Sequence, residues 1–193
     1  MNVTARLISL FILLTGSVSC LADFYQAPIQ QAHWEFKKTN NVCNLKQLIP
    51  QYGSAEFIHK AGEPLRFSIQ ELRRKPLIIK ASLKVMPAPW MHEAPSSRDF
   101  PVYLDNAEVG GYGKLSVYGD AAESMIDTLL QGQYPTFIYI RDASALNFEE
   151  TQVAVSAIKF SESYKAFSEC RNSFHSSTAQ NHVTVAKKSK HPV

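Results

Sequence analysis

The sequence predicts a mainly β single domain with two or three helices, and three observations carry that expectation. Apolar residues alternate with a period of two in several stretches, among them Leu65, Phe67 and Ile69 and the run Leu77–Met86. Two stretches, Asp120–Leu130 and Ser161–Phe174, switch to the spacing of three and four that gives a helix one apolar face. No internal repeat is visible, and no linker rich in Pro, Gly or Ser divides the body.

In chain order, residues 1–22 read as a signal peptide. Arg6 forms a positive start, Leu7–Leu14 an apolar core, and Cys20-Leu21-Ala22 a small-x-small cleavage site. Thr15, Gly16 and Ser17 interrupt the run too soon for a membrane span. Cleavage after Ala22 makes Asp23 the first mature residue and implies an exported, periplasmic chain. The lipoprotein alternative, with Cys20 acylated, asks for a branched apolar residue three positions earlier, where Ser17 stands.

Strands are expected at Trp34–Phe36, at Ala55–His59, and at Leu65–Ile69 after a Gly62-Glu63-Pro64 turn. The run Leu77–Met86 places Leu77, Ile79, Ala81, Leu83 and Val85 on one face, against Ile78, Lys80, Ser82 and Lys84 on the other. Pro87 ends it, because proline lacks the donor that a ladder needs. Val102–Leu104 and Lys114–Tyr118 are further strand candidates around the glycine turn Gly110–Gly113. Asp120 is expected to cap a helix, with Glu123 completing a capping box and Ala122, Ile126, Leu129 and Leu130 as its buried stripe. Gly132 should end that helix in the left-handed conformation, and Pro135 forbids its continuation. Thr136–Arg141 is the next strand. Thr151–Phe160 then runs into a helix capped by Ser161 or Ser163, with Tyr164, Phe167 and Phe174 along its apolar stripe and Cys170 on or beside it.

After removal of the signal peptide, Cys43 and Cys170 are the remaining cysteines. An oxidising compartment favours their pairing; two buried thiols that never meet is the alternative. Charge is uneven. The segment 171–193 carries Arg171, Lys187, Lys188 and Lys190 and no acid, and setting these and Arg6 aside takes the chain from +3 to −2. With no basic stripe on the folded part, nucleic acid is not an expected partner. Residues 175–193 lack an apolar period and are expected to form a disordered basic tail.

The sequence holds no catalytic constellation, no metal-ligand spacing and no cofactor motif, so a non-enzyme is expected. His92-Glu93 opens like a zinc-protease helix, but Pro95 follows. His33, His59, His175, His182 and His191 fit no metal spacing. Gly111-Tyr112-Gly113 precedes strand-like residues rather than a helix, which is hairpin chemistry. Work must then be done by surface and shape. The candidate interface residues are the aromatics Trp90, Tyr112 and Tyr134, since such side chains are enriched at interface centres. For Trp90 the competing reading is a plug at one end of the fold.

Four colinear blocks carry a family resemblance: VCNLKQLIPQYGSAEF (Val42–Phe57), VMPAPW (Val85–Trp90), LLQGQYPTFIY (Leu129–Tyr139) and VAVSAIKFSESYKAFSEC (Val153–Cys170). Together they resemble the N-terminal domain of the MotY family of sodium-driven flagellar motor proteins, over about Gln26–Phe174. The resemblance implies an antiparallel β-barrel-like body, residues 23–174, closed by one disulfide between Cys43 and Cys170. It also implies a periplasmic role at the flagellar basal body: docking with a MotX-like protein to form the T ring, which recruits stator units. Family members continue into an OmpA-like domain that grips peptidoglycan. This sequence stops 23 residues after Cys170, so no direct peptidoglycan binding is expected of it. A periplasmic adaptor for another envelope complex is the alternative function.

Overall fold

The computed structural model describes residues 22–74, 78–88, 91–92, 98–104, 112–142 and 148–187. The chain runs β1 (Asp23–Gln26), β2 (Trp34–Thr39), β3 (Val42–Ile49), β4 (Gly53–Lys60), β5 (Arg66–Arg74), β6 (Ile78–Met86), β7 (Tyr103–Leu104) and β8 (Tyr112–Tyr118). It continues through α1 (Asp120–Leu130), β9 (Tyr134–Asp142), β10 (Phe148–Ala154) and α2 (Phe160–Lys187). A six-stranded sheet has the order β2-β3-β4-β5-β8-β7, and a four-stranded sheet the order β1-β10-β9-β6. Every described pairing is antiparallel except β1 with β10, which is parallel.

The mainly β class, the helices and the disulfide are as expected, but the two sheets do not close into one barrel. They stack as a sandwich-like body. Leu45, Phe57, Phe67, Ile69, Leu115 and Val117 from the larger sheet face Leu83, Phe137, Tyr139 and Val153 from the smaller, all essentially fully buried. Phe57 stacks on Phe67 at 4.3 Å between ring centroids, and Phe67 meets Phe137 across the sheets at 5.6 Å. Helix α2 packs on β2 and β3, while α1 packs on β9, β8 and β5 and touches α2.

Local chemistry departs from the sequence reading in several places. In β6, Leu83 and Val85 face inward as expected, but Ile78 is buried and Ile79 is 53% exposed. A register shift between Ile78 and Lys80 explains it, since one extra residue in a strand reverses the alternation on either side. The α1 cap is Gly119, with φ 56°, and no side chain bonds it. Glu123 instead turns its carboxylate to Arg171 on α2. In α1, Met125 joins Ala122, Ile126 and Leu129 in the core, whereas Leu130 is exposed. The exit of α1 follows expectation: Gly132 has φ 78°, its N–H donates to the Leu129 carbonyl at 3.1 Å, and Gln133 N–H donates to Thr128 at 3.0 Å.

Strand β10 ends at Ala154, and 155–159 form a connection to α2 that closes in a turn at 158–159. Helix α2 begins at Phe160, ahead of both candidate capping serines, and Ser163 donates to the Trp34 carbonyl at 2.7 Å. It runs to Lys187, through thirteen residues after Phe174 that were expected to lack regular structure; no glycine or proline interrupts 160–187. The disulfide Cys43–Cys170 ties α2 to β3, with the two Cα atoms 6.1 Å apart.

Candidate functional site

Where the two sheets meet at one end, a buried polar cluster joins them. Glu71 sits on β5 at a register irregularity between Gln70 and Arg74, opposite β8. Its Oε1 accepts hydrogen bonds from the Tyr139 hydroxyl, at 2.8 Å, and from the Arg141 guanidinium, both on β9. The ion pair is almost fully enclosed, at 2% and 3% side-chain exposure. Burial by itself would lower the Arg141 pKa, but the bonds to Glu71 outweigh that and raise it, so the guanidinium stays charged. Burial is also the main reason the hydroxyls of Tyr139 and neighbouring Tyr52 are pushed well above the ordinary phenol range. Glu71 Oε2 lies against Gly113, where a Cβ would stand only 2.7 Å from it. The cluster backs a cleft of about 400 Å³ lined by Tyr25, Gln51, Tyr52, Glu71 and Arg73.

A second clasp holds the connection after β10. Ser156 N–H donates to Gln47 Oε1 at 2.9 Å, and the Ser156 carbonyl accepts from Gln47 Nε2 at 3.1 Å and from the Trp34 indole at 3.0 Å. These bonds satisfy a buried backbone segment that belongs to no sheet. Both clusters join parts of the fold to one another and present no nucleophile–base pair. Among the described residues no group of histidine, cysteine, aspartate or glutamate has the arrangement of a metal site. No described helix is long and apolar enough to cross a membrane.

The candidate interface aromatics fall in different places. Trp90 lies outside the described residues. Tyr112 is the first residue of β8, paired with Arg74, and its side chain is outside the description. Tyr134, at the start of β9, is 2% exposed and packs inward with Ala88 and Ala154 in a small separate cluster that Met86, Met91 and Ala157 adjoin. It is a core residue of this chain. Sequence reasoning overlooked the apolar side chains that are exposed. Leu48 and Leu72 flank a shallow groove on the larger sheet, floored by Gly53, Ser54 and Gln70. On the outer face of the smaller sheet stand Phe24, 59% exposed, and half-buried Ile138 and Ile140. The signal for the last two is the unbroken apolar run Phe137–Ile140: Phe137 and Tyr139 enter the core, while Ile138 and Ile140 stand half-buried on the other face.

Two comparisons bear on this arrangement. The family model described as the MotY N-terminal domain matches residues 25–175, which takes in both sheets, α1 and the disulfide. The sodium-type flagellar protein MotY of Vibrio parahaemolyticus is 30% identical over 166 residues, covering 84% of this chain. The chain spans about half that relative's length, 54%.

Proposed function

The chain belongs to the MotY N-terminal domain family, and from that membership we propose that it is a non-enzymatic structural component of a flagellar motor. It works in the periplasm at the basal body, docking with a MotX-like protein to build the T ring to which stator units are recruited. The observation that carries this reading is the extent of the match. It runs unbroken from 25 to 175, across every packed element and both bonded cysteines, rather than over one motif. The polar clusters fit the same reading, since they fix the shape of a docking body and offer no reacting group.

The test is a deletion of this chain in its own organism, paired with a fluorescent fusion. The expected result is intact filaments with reduced torque or stator recruitment, a fusion that gathers at flagellated sites, and co-purification with a MotX-like protein. A deletion strain that swims normally, with a fusion that never gathers there, overturns the motor reading in favour of an adaptor in another envelope complex.

A further inference from the structure

We propose that the outer face of the smaller sheet is a self-complementary surface on which two copies of this chain associate. An antiparallel sheet that faces water normally turns polar residues outward. Here the centre of the outer face is apolar: Ile138 and Ile140 project from β9, away from the buried Phe137, Tyr139 and Arg141. The strand register fixes what flanks them. One row across the face reads Lys80, Ile140, Glu150 on β6, β9 and β10, and the next reads Ser82, Ile138, Gln152, Phe24 on β6, β9, β10 and β1. Lys80 is exposed and has no ion pair among the described residues, while Gln152 donates to Glu150 at 2.8 Å on the same face.

The first row therefore carries a cation on one side of an apolar centre and an anion on the other, and the second is flanked by neutral polar groups. A two-fold axis lying in the interface and parallel to β9 exchanges the β6 side with the β10 side and leaves position along the strand unchanged. It brings Lys80 of each copy over Glu150 of the other, Ser82 over Gln152, and each isoleucine over its own counterpart. Across β6, β9 and β10 both rows become complementary under that one operation, as an isologous contact requires, while Phe24 on β1 lies beyond the exchanged strands. The strands of the two copies run roughly aligned, one of the ordinary geometries for sheets packed face to face. Three strand spacings make the face only about 15 Å wide between outer strand axes. Contacts of this size fall below the obligate class, so a reversible dimer is expected.

The test is sedimentation velocity of the purified chain over roughly 1–100 µM, the range in which such a weak contact is read. The expected result is a monomer–dimer equilibrium that Lys80→Glu or Glu150→Lys weakens by about tenfold or more, because each reversal opposes like charges at two symmetry-related places. An equimolar mixture of the two variants should regain wild-type association, since the reversed charge at position 80 then meets the reversed charge at position 150. A wild-type chain that stays monomeric throughout, single reversals without effect, or a mixture that fails to recover would each overturn the proposal. Recovery on mixing also rules out misfolding as the cause of any loss. The assay needs no motor protein, so its outcome is independent of the motor reading.

Discussion

Glu71 and Arg141 lie 70 residues apart and on different sheets. Each would be costly to bury alone, because a charge removed from water without a partner loses its hydration and regains nothing. Together they replace hydration with a charge-assisted bond, and Tyr139 adds a second donor to the same oxygen. Arg141→Met should therefore lower stability by about 3–5 kcal/mol, since it strands the Glu71 carboxylate in the core. Glu71→Leu combined with Arg141→Met should recover most of that loss. Urea unfolding of the single and double variants checks both. A double variant no more stable than Arg141→Met would mean the cost comes from lost packing, not from an uncompensated charge.

At the scale of elements, the chain's turns are set by single residues with narrow conformational demands. Helix α1 stops because Gly132 takes φ 78° and hands its N–H, and that of Gln133, back to the last turn. A Cβ at Gly132 would meet nothing within 4 Å, so the cost of a side chain there is conformational only. Gly132→Ala should lower stability by about 1 kcal/mol, read as a shift in the urea midpoint with unchanged slope. A neutral Gly132→Ala would show that the left-handed turn is not what ends α1. The start of α1 makes the opposite point. The cap N–H of Gly119 goes to the Leu65 carbonyl, and the Glu123 carboxylate bonds Arg171 on α2, a contact that ties the two helices together.

For the whole molecule, the Cys43–Cys170 bond closes a separation of 127 residues. It joins β3 of the larger sheet to α2, which follows the last strand of the smaller one, so most of the sandwich, all but β1 and β2, lies within the loop. Opening a loop of that length restores entropy to the unfolded chain, with about 5 kcal/mol as the upper estimate. Cys43→Ser or Cys170→Ser should therefore lower both the urea midpoint and the yield of folded protein. Equal midpoints for the native and reduced wild-type protein would count against it.

The sequence by itself determined the features that depend on neighbours in the chain. The α1 exit needed only Gly132 and Pro135, the mainly β class only the alternation in stretches such as Leu65–Ile69, and the family only four blocks in order. Strands β1 and β3 went unread, because β1 is four residues long and β3 alternates Cys43, Leu45 and Gln47 inward, a pattern that a buried glutamine obscures. Tertiary structure alone decided the rest. Whether the sheets close into a barrel depends on edge strands meeting in space, and here they do not. Which of two isoleucines in β6 is buried depends on a bulge against β9. Glu71 finds Arg141, and Tyr134 finds the core instead of a surface, only when segments distant in sequence are brought together. A local pattern states what each residue prefers, and long-range packing chooses which preference is met.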